Sequence, residues 1–243
     1  MIKRLFIHSF RALNRQKGYV FINLSGLSIG IACSLIIALF IIHELSYDKF
    51  NDKKDRIYRL ILNGKIGGQE LNVSSTASPI GPAMVKEFPE IEDYTRTNVW
   101  SETTIKYYDQ SFTENGFVEA DSSFFSIFTL PLVKGNKKTV LNAPHTVVLS
   151  ETTAKKIFGK ADPIDKLLKI GTDTILYRIT GVMVDVPETM HFNLNIVGSF
   201  MTNNRANDNQ WLSNSFNTYV LLKPNTSPEQ VNTKTAAIED WVF

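Results

Sequence analysis

Residues 18–42, GYVFINLSGLSIGIACSLIIALFII, form a run of 25 residues without a single charge. At about 1.5 Å of rise per residue, a helix of that length reaches across a hydrocarbon core about 30 Å thick. A cleaved secretory signal has a shorter apolar region, about 7–15 residues, followed by a small-residue cleavage site. Here the run exits into His43, Glu44, Leu45, Ser46, Tyr47 and Asp48, which supply none. The run is therefore read as a transmembrane helix over residues 18–45, with an arm (1–17) before it and a domain (46–243) after it.

Charge orients the span. Lys3, Arg4, Arg11, Arg15 and Lys17 precede it with no acidic residue among them, so the formal +2 of the chain divides into +5 before the span and −3 after it. Basic residues stay on the cytoplasmic side, which places the N-terminus inside and residues 46–243 outside. The weakly basic whole-chain balance belongs to the arm, and no nucleic-acid footprint is implied. Within the arm, Ile2, Leu5, Phe6, Phe10 and Leu13 recur at helical spacing between the basic residues. That pattern fits a helix lying in the inner-leaflet headgroups as well as a plain basic flank. Inside the span, Gly26, Gly30 and Ser34 make a small-residue stripe that permits close helix–helix approach in lipid. The lone cysteine, Cys33, is also in the span, so the outer domain rests on its own core without disulfides.

The outer residues read as α+β. Arg56–Leu62 alternates as a strand, NGKIGG is a turn cluster and QELNVSS a returning strand. SPIGPAMVKEF is a helix with Ser78 as cap and Pro79 first, and Ile80, Met84, Val85 and Phe88 share one face. Strands follow over 91–99, 102–108 and 111–119, then a short helix in DSSFFSIF. TVVLS is a buried strand, Glu151–Phe158 a helix ended by Gly159, and 166–170 with 174–186 a hairpin turned at 171–173. FNTYVLL is a strand, and a last helix opens with Ser227 as cap, Pro228 first and Gln230 completing a capping box.

Chemistry is sparse. No phosphate-binding GxxxxGK[ST] occurs, and His8, His43, His145 and His191 lack paired metal-ligand spacing. Ser150 lies in VLSET rather than a nucleophile elbow, and its position suits a helix cap. Glu44 with Asp48 reads as a solvated helix exit. Asp185 and His191 flank VPETM without a nucleophile beside them. Aromatic residues such as Phe124, Phe125, Phe128, Tyr107 and Tyr108 sit at strand and helix spacing, where a core role is the default. No catalytic, cofactor or metal residue is expected in this chain.

Three stretches taken together resemble the FtsX/MacB-type permease family of ABC transporters, in the form common in Bacteroidetes-like bacteria. They are NRQKGYVFINLSGLSIGIACSLIIALFIIHELSYDKFNDKKDRIYRL, VVLSETTAKKIFGKADPIDKLLKI and YRITGVMVDVPETMHFN; NTYVLLKPNTSPEQVNTKTAAIED fits the segment that leads back toward the membrane. One departure is visible: Asp165 stands in DPIDK where the family usually has a glycine serving a turn. The resemblance implies one N-terminal transmembrane helix followed by a mixed α/β extracytoplasmic domain, a split βαβ module interrupted by a β-rich module. It implies four membrane helices in all, so the chain is expected to be a C-terminally incomplete permease ending at Phe243 inside a helix. It further implies location in the bacterial inner membrane, contact with membrane lipid, and a separate cytoplasmic ABC ATPase whose ATP hydrolysis moves the outer domain for export or mechanotransmission. A second permease copy and a periplasmic or outer-membrane partner are implied as well. Two other readings compete: a complete single-pass protein with an outer binding or sensing domain, and a membrane-anchored hydrolase, which would require a nucleophile–base pair.

Overall fold

A computed structural model describes residues 17–46, 51–66, 69–171, 175–187, 190, 192–211 and 213–236. The chain divides into two compact units, Met1–Tyr47 and Asp48–Phe243.

The first unit holds α1, Lys17–Glu44, whose 28 residues extend about 42 Å at helical rise. It is apolar on every side, with a mean hydropathy of 2.5 over its best 18-residue window, and buries none of its residues within the chain. A helix apolar all round and uncovered by its own chain needs lipid or another helix around it.

The second unit is organised by one long hairpin, β4 (Ile91–Tyr107) with β5 (Gln110–Ala120). The two strand pieces expected at 91–99 and 102–108 are one continuous strand, rich in the Thr, Val, Ile and Tyr that suit a pleated surface. From β5 the sheet runs through β10 (Ile196–Ser199), β7 (Thr146–Ser150) and β9 (Leu176–Met183). β8 (Leu167–Ile170) pairs with β9 and also with the far half of β4. Strands β4, β5, β10, β7, β9 and β8 therefore close into a ring. Ile105, Phe117, Val147, Leu149, Leu168, Ile170, Tyr177, Ile179 and Ile196 form one core together with Ala154, Ile157 and Phe158 of α4 (Glu151–Phe158). The next residues along the same strands, Val118, Val148, Val197 and Met183, enter a second core with α3 (Phe124–Ile127). Because both faces are covered, TVVLS and IVGS are buried throughout, as strands in two-sided sheets are. β6 (Leu132–Lys134) pairs with β9 at the margin.

The near half of β4 belongs to a different layer. It pairs with β11 (Asn217–Leu222), which pairs with β1 (Ile57–Arg59). Met84 of α2 (Ile80–Glu87), Phe88 just after it, Ile91, Val220, Leu222 and Val231 of α5 (Pro228–Ala236) form its core. Segments from both ends of the outer unit thus build one α/β layer, and the β-rich ring is inserted between them: the split arrangement expected from the sequence.

Local expectations are corrected in five places. NGKI is not a turn but the body of β2 (Leu62–Ile66), paired with β3 (Gln69–Val73); the hairpin tip at 67–68 lies outside the described residues. β6, β10 and a 3-10 turn at Phe200–Thr202 were not expected, being only three or four residues long. Tyr108 is not core but 86 % exposed, at φ 51° in the turn between β4 and β5. Ser78 does not cap α2, whose first turn has no side-chain cap. Ser227 does accept from the Gln230 N–H, at 3.4 Å, while its hydroxyl donates to Glu229; the return bond from the Ser227 N–H to the Gln230 side chain is not found among the described residues.

Candidate functional site

The two layers of the outer unit meet at Arg96, in the middle of β4. Its guanidinium is buried and each of its three nitrogens donates. Nε and Nη2 donate to Asp121, at the end of β5, at 2.9 and 2.8 Å. Nη1 donates to the Ser78 carbonyl at 3.0 Å, the Ser78 hydroxyl at 2.7 Å and the Ala206 carbonyl at 2.7 Å. The Phe200 ring lies beneath the cation, 4.4 Å from ring centroid to guanidinium carbon. Burial alone would lower the Arg96 pKa, but the hydrogen bonds and charge of Asp121 outweigh it and raise it. This explains Ser78: its hydroxyl donates to the Ala206 carbonyl, 2.7 Å, while accepting from Arg96, so it serves the junction rather than a helix end. Nearby, the buried Glu119 carboxylate accepts from the side-chain amides of Asn98 and Asn203, at 2.8 and 2.9 Å. These bonds tie β4, β5 and residues 198–206 into one polar seam.

Beside the seam opens a cleft of about 340 Å³, lined by residues 99–101 of β4, Gly116 of β5, Asn193, Asn217 and Arg59 among others. Gly116 sits at φ 72°, and a Cβ there would meet the Asn193 carbonyl oxygen at 2.3 Å, so only glycine fits.

The residues singled out from sequence are scattered rather than convergent. Ser150 accepts from the Thr153 N–H at 3.2 Å and caps α4, as expected. Asp185 accepts from the Thr152 N–H and hydroxyl at 3.0 and 2.6 Å. Burial pushes its carboxyl up, yet the bonds from Thr152 and Ser150 prevail and hold it below the ordinary aspartate value. The pair at VPETM is thus half helix cap, and His191 lies outside the described residues. Among those described, no three His, Cys, Asp or Glu side chains group as a metal site would require. Lys17 opens α1; Lys3, Arg4, Arg11 and Arg15 lie outside the described residues, as does Asp48. On α1, a Cβ at Gly26 or Gly30 would meet nothing within 4 Å, and the Ser34 hydroxyl donates back to the Gly30 carbonyl at 2.9 Å. The stripe is therefore uncovered in this chain.

An apolar helix followed by a split α/β layer with an inserted β-ring matches a known family. The model of the MacB-like periplasmic core domain fits residues 20–238. The chain belongs to this family. No curated protein matches it. Among solved structures, it is similar to a domain of a candidate permease protein from Porphyromonas gingivalis, with a TM-score of 0.67 and 23 % identity over 76 % of this chain and 80 % of that one. It is similar to the periplasmic region of MacB from Actinobacillus actinomycetemcomitans, with a TM-score of 0.52 and 20 % identity over 72 % and 78 %. The extracellular domain of the noncanonic ABC-type transporter YknZ from Gram-positive bacteria gives a TM-score of 0.51 and 14 % identity over 73 % and 86 %. At these identities the likeness is one of fold. MacB-like core domains belong to permease components of ABC transporters and are not themselves enzymes, and this chain carries that domain behind one candidate membrane helix.

The Arg96 seam was not visible in the sequence. The one available signal was an arginine inside YTRTNV, where a strand with both neighbours β-branched leaves a lone cation in need of a buried partner.

Proposed function

We propose that the chain works as the permease part of an ABC transporter, in which a separate cytoplasmic ATPase hydrolyses ATP and the outer domain moves in response. The observation that carries this reading is the family match, which begins within α1 and runs through the outer domain to residue 238. The outer domain acts as a lever or gate for export or mechanotransmission, and the residues of this chain do no chemistry on the cargo. In support, the ring and the α/β layer are each cored and are joined through the Arg96 seam, as a part that transmits force requires.

The same reading places α1 in a bacterial inner membrane with the basic arm inside and residues 46–243 outside, on the strength of the charge asymmetry. Gly26, Gly30 and Ser34 receive a neighbouring helix, from a second permease copy or from another membrane segment of the transporter. A periplasmic or outer-membrane partner completes the path.

The test is to express the chain in its native gene context with the adjacent ATPase and to purify through a tag on the chain. Co-purification of an ABC ATPase is expected, with ATP-dependent changes in the distance between spin labels on paired outer domains. Failure to recover the ATPase, with label distances indifferent to nucleotide, would overturn the proposal and favour a lone anchored binding protein.

A further inference from the structure

β4 is covered unevenly. Along one side it pairs with β5 from Thr97 to Tyr107. Along the other, β11 covers Ile91–Thr97 and β8 covers Ile105 and Lys106, with the Gly171 N–H reaching the Thr104 carbonyl at 2.8 Å. Residues 98–103 have no strand partner on that side among the described residues. At the borders, Gly171 follows β8 at φ 70°, and the pairing of β11 with β4 begins at Asn217 opposite Thr97. Residues 99–102 are all exposed in the middle of the longest strand of the protein, with Val99 at 50 % and Trp100 at 47 %. The cleft described above lies along this same opening.

The backbone there is ready to pair. The Arg96 carbonyl accepts from the Asp121 N–H on the β5 side. Counted from Arg96, alternation turns the Val99 N–H and C=O to the opposite side, into the opening; the count shifts once before Thr104, whose carbonyl faces β8, across Ser101, which has no paired residue in β5. Exposed edges of this kind accept an added strand, with main-chain bonds giving affinity and alternate side chains giving selectivity.

We propose that this opening binds a single extended peptide segment, inserted antiparallel to β4 between β8 and β11. The frame decides the occupant. Six residues of strand span about 20 Å, and in-plane strands stand at both ends, so the edge of another folded sheet, including a second copy's β4, cannot enter. The direction is fixed too. β8 and β11 both run antiparallel to β4, so a peptide continuing from one to the other starts at the Glu102 end and finishes at the Arg59 end. Glu102 makes no ion pair among the described residues. Arg59 gives hydrogen bonds to the Ser74 carbonyl and Asn217 Oδ1 but meets no carboxylate among the described residues. The fitting peptide is therefore basic at its start, β-branched or apolar opposite Val99 and Trp100, and acidic at its end. This proposal does not depend on the transport reading.

The probe is a phage-displayed random hexapeptide library, panned against the full chain in nanodiscs, with the enriched sequences then synthesised. Enrichment of basic–apolar–acidic sequences is expected. N-methylation at alternate positions should weaken them by about ten-fold, the scale of one or two lost main-chain bonds. Val99→Pro removes an N–H that faces the opening rather than β5 and should weaken binding to a similar degree. Glu102→Lys, at an exposed position, should shift selection toward peptides with an acidic start. No enriched peptide, or binding that is indifferent to N-methylation and unchanged in both variants, would overturn the proposal; unchanged melting of Glu102→Lys keeps it testable should Val99→Pro unfold.

Discussion

Arg96 and Asp121 meet in a two-point ion pair, Nε to Oδ2 at 2.9 Å and Nη2 to Oδ1 at 2.8 Å, and the Arg96 N–H reaches the same Oδ2 at 2.7 Å. The side chains retain only 8 % and 14 % of their exposure. Such a pair adds little over well-packed apolar residues, yet breaking one half leaves an unpaired buried charge. Asp121→Ala should cost about 3–5 kcal/mol. Arg96→Lys should not preserve the seam, because an ammonium cannot serve Asp121, Ser78 and Ala206 from one planar fork. Urea unfolding of the detergent-solubilised chain, followed by tryptophan fluorescence, measures both. A loss for Asp121→Ala below about 1 kcal/mol, the range of surface pairs, would show that the seam is solvated.

Asp165, which the sequence resemblance sets at an expected glycine position, sits at φ 62°. Its N–H donates to the Ile179 carbonyl at 2.9 Å, so the turn is fixed by β9 and the side chain must tolerate the left-handed backbone. An L-residue there costs roughly 1–2 kcal/mol, less for Asp than for most. Glycine's greater unfolded freedom returns roughly 0.5–1 kcal/mol of that. Asp165→Gly should therefore raise stability by about 0.5 kcal/mol, seen as a higher urea midpoint at unchanged slope. Asp165→Ala should lower it, since alanine lacks the local hydrogen bonding that eases Asp into this region.

These two sites show what a sequence can and cannot carry. Ser150 and the helix Glu151–Phe158 were legible because a cap, an amphipathic turn and a closing Gly159 are all local signals. The Arg96 seam was not, since its partners come from residues 78, 121, 200 and 206 and are joined only by the fold. Ser78 was misread for the same reason: the pattern Ser-Pro before a helix reads as a cap, and nothing nearby in sequence announces a buried guanidinium. β10 escaped because four residues carry too little periodicity, and its burial depends on β5 and β7 on either side. The left-handed backbone at Asp165 is legible too, because an expected glycine position states a conformational demand directly.

Asp185 holds the start of α4 through Thr152, and its carboxyl lies below the ordinary aspartate value for that reason. A carboxyl depressed in the folded state stabilises only while ionised. The contribution is full above the ordinary aspartate value and fades as pH falls through the lower folded value. Asp185→Asn should thus cost roughly 0.5 kcal/mol near neutral pH, the low end of capping effects because the carboxylate is exposed to solvent. The variant and parent should converge in acid. Paired thermal melts across that range test it, and a gap that widened toward low pH would contradict the assignment.

The small-residue stripe on α1 gives a prediction in which folding and association separate. A Cβ at Gly26 or Gly30 would meet nothing within 4 Å among the described residues, so Gly30→Leu introduces no clash there and replaces a poor helix former with a good one. Any loss must then come from a neighbouring helix that used the groove. Close packing of this kind contributes about 1 kcal/mol in bilayers, near five-fold in association. Energy transfer between labelled copies of the chain in liposomes should fall by about that factor in Gly30→Leu, and further in Gly26→Leu/Gly30→Leu. The melting of the outer unit should not move. Cys33→Ser, three residues along and exposed on the same helix, serves as the control that changes a side chain without filling the groove. If all three variants associate alike, the stripe is only the ordinary abundance of glycine in membrane helices.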